Sequence, residues 1–147
     1  MRWLTVPPAR SGHQAMLTQL CATGIERTMS TAASHALAFY REVASSGLIW
    51  SIRDDKGFPA PFSRAGKRAM PFWSSESRAL AVIRGVPAYE GFQPVVLTWG
   101  EFCERWVPGL IRDGLLAGVN WSAPHATGFD VLPSDLQYNV DALRSVA

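Results

Sequence analysis

The spacing of hydrophobic residues changes several times along the chain, and each change predicts an element. From Ser34 the apolar positions Leu37, Tyr40, Val43 and Ala44 share a helical face, with Ser34 as N-cap and Gly47 as the stop. Leu48, Trp50 and Ile52 then alternate with Ile49, Ser51 and Arg53, the period-two pattern of a half-exposed strand. Asp54-Asp55-Lys56-Gly57 carries turn chemistry, and Phe58, Ala60 and Phe62 continue on a returning strand. Pro59 and Pro61 cannot donate ladder hydrogen bonds, so that strand belongs at an edge or is irregular. Residues 64–67 turn again and residues 68–73 make a third strand. Three short strands in succession predict an antiparallel meander.

Beyond them, Ser74 predicts the cap of a short helix with Glu76 in its first turn, Leu80, Ala81 and Ile83 inward, and Gly85 at its end. Val95, Val96 and Leu97 read as a strand buried on both faces. Thr98 stands three residues before Glu101, the spacing of a capping box, and Phe102, Trp106, Leu110 and Ile111 would share one apolar helix face. Pro108-Gly109 predicts a break in that helix. Asp113-Gly114 turns the chain into a strand over residues 115–121, weakened by Gly118, and residues 122–128 read as a small, polar loop. Residues 129–132 form a last strand before a helix with Leu136, Val140 and Leu143 on one face. A strand delivering the chain to a capped helix thus recurs at Trp73-Ser74, Leu97-Thr98 and Leu132-Pro133. The fold predicted is α+β: a mostly antiparallel sheet of about five or six short strands covered by three or four helices.

Residues 1–28 lack any periodicity, broken by Pro7-Pro8, Ser11-Gly12 and Gly24, and Met29 opens a common kind of bacterial start. They read as a poorly structured leader or a misassigned start, leaving residues 29–147 as a single domain. That leader also carries the whole formal charge of +2, so the body is neutral and a nucleic-acid partner is not expected. Within the body, residues 53–84 hold seven basic and three acidic groups, and residues 85–147 hold three and seven. No apolar run approaches the ~20 residues of a membrane helix. Cys21 and Cys103 read as two free thiols in a reducing cytoplasm.

Several residues carry a resemblance when taken in order. Phe39-Tyr40 leads into a strand with Trp50 and an Asp54-Asp55-x-Gly57 turn. Pro71-Phe72-Trp73-Ser74 opens a helix, and Tyr89-x-Gly91-Phe92-x-Pro94 precedes a strand. Phe102-x-x-x-Trp106-Val107-Pro108-Gly109-Leu110 follows, then Asp113-Gly114 and Gly118-Val119. Together they resemble the small bacterial proteins catalogued as domain of unknown function 2750, over residues 36–143. The resemblance implies a short, cytoplasmic protein without an assigned activity, and it transfers no functional residues.

Chemistry is sparse. His13, His35 and His125 are not at metal-ligand spacing, Cys103 has no nearby companion, and Gly-x-Ser-x-Gly and phosphate-binding glycine loops are absent, so no metal, cofactor or catalytic residue is expected. Glu101 and Glu104 stand three apart on a helix and suit a general acid and base. With His125, in a cleft beside Trp106, they define an alternative reading as a small hydrolase-like enzyme. The structural reading has Glu101 capping and Glu104 solvated, paired with Arg78 or Arg112. Trp50, Trp73, Trp99, Trp106 and Trp121 lie near element ends, as aromatic corners of a core. A sharper reading sets Trp73, Tyr89, Phe92 and Trp106 on a partner-binding surface with Pro108, Arg64 and Arg68. The function expected is a non-catalytic protein-interaction module, regulatory or immunity-like, whose partner is another protein or a second copy. A fragment of residues 29–147 is expected to melt at about the temperature of the full chain; a loss of several degrees would show that the leader packs on the body.

Overall fold

The computed structural model describes residues 3–4, 31–62, 66–123 and 127–146. A two-residue strand β1 (Trp3–Leu4) is followed by helix α1 (Thr31–Ser46), which stops at Gly47 with φ +71°. Strand β2 (Leu48–Arg53) leads through the Asp54 turn to β3 (Phe58–Pro59). The turn forms as expected, since the Asp54 carboxylate accepts the Lys56 and Gly57 N–H groups at 2.9 and 3.1 Å. Strand β4 (Ala69–Phe72), helix α2 (Glu76–Gly85) and a short 3₁₀ turn (Pro87–Tyr89) come next. Then follow β5 (Gln93–Thr98), a helix α3 over residues 99–112, β6 (Leu116–Ser122), β7 (Thr127–Val131) and helix α4 (Pro133–Val146).

The class is α+β, but the sheet differs from the expected one. Among the described residues the strands form three small sheets: β1 with β3, β2 with β5, and β4–β6–β7. β1–β3 and β4–β6 are parallel, whereas β2–β5 and β6–β7 are antiparallel. The expected meander is reduced, among the described residues, to two isolated antiparallel bridges, Asp54 to Gly57 and Phe62 to Arg68, because Pro59 and Pro61 cannot donate ladder hydrogen bonds. β2 and β4 meet in one antiparallel bridge, Trp50 to Trp73, with reciprocal N–H to carbonyl bonds of 2.8 and 2.7 Å. The next bridge in an antiparallel ladder would require an N–H from Pro71, which proline lacks. The Pro71 carbonyl is instead taken by the Ser51 hydroxyl at 2.9 Å. On its other edge strand β4 runs beside β6 with Ala69 opposite Leu116. β5 is an edge strand with Val96 46% exposed, so it is not buried on both faces as its apolar run suggested. Pro94 is tolerated there because an edge strand has one unpaired side.

The strands separate two hydrophobic clusters. The larger joins Phe39 and Val43 of α1, Phe102, Trp106 and Leu110 of α3, and Leu136 and Val140 of α4 to Ile49, Phe72, Leu97, Ala117 and Val119. Edge-to-face contacts of Trp106 with Phe58 (4.7 Å) and of Phe72 with Phe102 (5.0 Å) fill its centre. The smaller gathers Ala79 and Val82 of α2 with Ile52, Trp73, Tyr89, Phe92 and Trp121. Ser75, rather than the expected Ser74, caps α2, accepting the Arg78 N–H at 3.3 Å.

Helix α3 does not break at Pro108. Its start is capped by the Thr98 hydroxyl, which accepts the Glu101 N–H at 3.1 Å. The wider turns of a π segment (Phe102–Trp106) follow, with the Val107 N–H reaching back to the Phe102 carbonyl. Pro108 therefore enters in the first turn of the closing segment (Val107–Arg112), where a missing N–H is least costly.

One residue ties the two clusters together. In a regular strand Trp121 would face the same side as Ala117 and Val119. Asn120 has φ +48°, and the β6–β7 register shifts between Val119 and Ser122. This bulge turns Trp121 into the smaller cluster, where its ring lies over Gly118; a Cβ on Gly118 would meet the indole at 2.2 Å. The buried Asn120 amide oxygen accepts the Ser74 N–H at 3.0 Å, and its nitrogen donates to the His35 carbonyl (3.1 Å) and the Ser74 hydroxyl (3.0 Å). Ser74 donates onward to Glu42 at 3.1 Å, and Glu42 pairs with Arg78 at 3.0 Å. The carbonyl of Trp121 accepts the Trp73 indole N–H at 2.8 Å. Asn120→Ala strands the Ser74 N–H, removes a bond to the His35 carbonyl and places a strained residue at positive φ. It is expected to cost about 2–4 kcal/mol in urea unfolding. Asn120→Gly removes the strain but not the lost bonds, so it should recover only about 1 kcal/mol of that loss.

Candidate docking cleft

Most of the residues expected on a partner surface are enclosed. Trp73, Tyr89 and Phe92 pack together in the smaller cluster, with Tyr89 and Phe92 edge-to-face at 5.4 Å. Burial also raises the Tyr89 hydroxyl pKa, keeping it neutral across the physiological range. Trp106 lies in the larger cluster. Pro108 is exposed on α3, Arg68 is half-buried at the start of β4, and Arg64 lies outside the described residues. Three tryptophan N–H groups are occupied: Trp73 donates to the Trp121 carbonyl at 2.8 Å, Trp99 to Asp141 at 2.7 Å and Trp121 to Asp130 at 2.9 Å.

The glutamate pair lies elsewhere. Glu101 is half-buried in the first turn of α3 and Glu104 is exposed two residues before Trp106; His125 lies outside the described residues. Neither Glu101 nor Glu104 lines any of the three hollows described below. The partners expected for Glu104 are engaged differently, Arg78 with Glu42 and Arg112 with Asp113 at 3.2 Å. Cys103 is half-buried in the π segment. Burial, then the nearby Asp141 and Glu104 carboxylates, push its thiol up to about 11 against the opposing pull of Arg144.

Three hollows mark the surface. One of about 600 Å³ surrounds the Asp54 turn and the start of β5. A second, of about 120 Å³, is bounded by His35, Arg78, Asn120 and Ser122. There the His35 Nδ1 atom is buried with no hydrogen-bond partner. Asn120 spends its polar atoms on its own neighbours, so this hollow belongs with the tie between the clusters.

The third has a volume of about 530 Å³, within the ~300–1,000 Å³ range of ligand pockets. It opens where β4 and β6 begin, between the end of α3 and the start of α4. Phe62, Ile111 and Leu132 line it and are 42, 55 and 52% exposed. Its polar wall is Lys67, Arg68, Asp113 and Ser134. The Arg68 guanidinium is anchored by an Nε–H bond to the Ala60 carbonyl at 2.9 Å and lies 5.6 Å from the Phe62 ring centre. Leu116 N–H holds the Arg68 carbonyl at 2.9 Å, which fixes the two strand starts together.

Residues 36–140 match the family described as protein of unknown function, DUF2750. The chain belongs to that family. The match agrees with the resemblance drawn from the motifs and covers every element from the body of α1 into α4. No curated protein matches the chain. The DUF2750 segment contains the whole lining of the 530 Å³ cleft, from Phe62 to Ser134, and also Glu42, Ser74, Arg78 and Asn120. Among the described residues no helix is long and apolar enough to cross a membrane, and no three His, Cys, Asp or Glu side chains group closely enough to hold a metal ion.

Of the cleft residues, Arg68 alone was picked out from the sequence. The spacing of Phe102, Trp106, Leu110 and Ile111 puts Ile111 on the buried helix face, yet it stands about 100° around the helix from Leu110, so that Leu110 is buried and Ile111 is not. Phe62 and Leu132 read simply as strand residues. Asn120 carried one signal that went unused: asparagine is depleted inside strands and tolerates positive φ.

Two measurements follow. Ile111→Ala should change stability by less than about 0.5 kcal/mol, whereas Leu110→Ala beside it should cost about 2–5 kcal/mol. In a Cys21→Ser background, iodoacetamide should alkylate Cys103 more slowly in the folded than in the urea-unfolded chain at pH 8. The neutral thiol is the form favoured by folding, so its contribution to stability is complete below pH 9 and declines as the pH rises through about 11.

Proposed function

We propose that this DUF2750 protein is a non-catalytic protein-interaction module of a regulatory kind, with the 530 Å³ cleft as its docking face. The observation that supports this is the convergence of three large apolar side chains, Phe62, Ile111 and Leu132, each more than two-fifths exposed around one hollow. Isolated exposed apolar residues are ordinary, but a group of them rimmed by polar residues marks an interaction site. Covering such surface releases about 25 cal/mol per Å² of apolar area, and an arginine at its edge is the residue type most often decisive in interfaces. Glu101 and Glu104 play no part in this reading.

The test is a displayed peptide library panned against the full chain. Peptides enriched on the wild type and on a Glu104→Gln control should be lost on Ile111→Asp and on Leu132→Asp, with all variants melting like the wild type. Retention of the same peptides by both aspartate variants would place docking elsewhere and contradict the proposal.

A further inference from the structure

Resting on that docking reading, we infer that the group recognised in the cleft is a carboxylate carried beside an apolar side chain, namely the free C-terminus of a partner polypeptide. Arg68 sets the chemistry. Of its five guanidinium N–H groups, only the one on Nε has a protein acceptor among the described residues, the Ala60 carbonyl at 2.9 Å. Nη2 is buried with no acceptor among the described residues. A half-buried guanidinium with most of its donors unused is a strong site for a carboxylate, which meets the fork from its Nη1 side and whose charge strengthens each bond.

Charge around the cleft agrees. Lys67 is exposed on the same wall, and the acidic residue there, Asp113, is already bound by Arg112 at 3.2 Å. The wall therefore presents two cations against one compensated carboxylate.

Distance narrows the ligand further. The guanidinium carbon lies 5.6 Å from the Phe62 ring centre, so charge and apolar surface are immediate neighbours. At a chain terminus the α-carboxylate and the last side chain leave the same Cα and separate by a similar span. A phosphate at the end of a polar side chain offers no such apolar neighbour. A carboxylate inside a chain adds a second backbone arm, with amide groups that would have to be accommodated along the Ile111 and Leu132 rim.

The test is an NMR titration of the full, ¹⁵N-labelled chain with acetylated tetrapeptides ending in Leu, Ile, Val or Phe. Each is prepared as the free acid, as the C-terminal amide, and with an internal Glu in an amidated hexapeptide. The free acids should shift the amide signals of Lys67, Arg68, Leu116 and Ser134, and should bind about 10- to 100-fold more tightly than the amides. Arg68→Gln should abolish the difference between acid and amide. Arg68→Lys, which keeps the charge without the fork, should reduce it and serves if the glutamine variant does not fold. Amides binding as tightly as acids would overturn the carboxylate inference while leaving the docking face intact, provided Ile111→Asp still abolishes binding. Internal Glu peptides binding as tightly as free acids would overturn the C-terminal assignment. Acids that shift no cleft signal would overturn the inference, and the panning result on the aspartate variants then decides the docking face separately.

Discussion

Asn120 holds the two halves of this fold in one arrangement. Its positive φ creates the β6 bulge, its amide satisfies the Ser74 N–H and the His35 carbonyl, and the turn it makes sends Trp121 across the sheet. Without the bulge, Trp121 would fall on the side of the larger cluster, and the smaller cluster would lose the ring that packs over Gly118. The Trp73 indole would lose the Trp121 carbonyl as its acceptor. A single residue therefore fixes α1 through His35, the start of α2 through Ser74, and the composition of both cores. Buried polar groups carry this authority because each one left unsatisfied costs free energy on the scale of a whole core contact.

Pro71 exerts the second constraint, and it acts by omission. The missing N–H ends the β2–β4 ladder after the Trp50–Trp73 bridge, and Ser51 closes the gap with its hydroxyl. On its other edge β4 aligns parallel to β6, which brings both strand starts to the same end of the sheet. The end of α3 and the beginning of α4 meet there too, and the cleft is the space these four termini leave. The position of Arg68 against Ile111 and Leu132 thus follows from the parallel pairing of β4 with β6.

Local pattern made most of the elements legible. The spacing of Leu37, Tyr40 and Val43, the Asp54 turn, the Thr98 cap and the face of Leu136 and Val140 all describe interactions within a few residues, and all of them formed. Pairing was not legible, because the partner of β4 lies more than forty residues away. Burial failed where the pattern alone could not orient an element: Ile111 stands one helical step beyond the buried face, and the edge position exposes Val96. The aromatic residues expected at a surface lie inside, in the two clusters. The cleft was visible in the sequence only as Arg68, since Phe62, Ile111 and Leu132 are brought to it from three separate elements.

The central claim is that the Asn120 tie makes the two clusters a single cooperative unit. Native-state hydrogen exchange of the Ser74 amide, followed through a series of low urea concentrations, tests it most directly. If the tie governs the fold, that amide exchanges only by global unfolding, with the same urea dependence as the Ile49 amide in the larger core. Exchange of Ser74 through a local, urea-independent opening, while Ile49 stays protected, would contradict it.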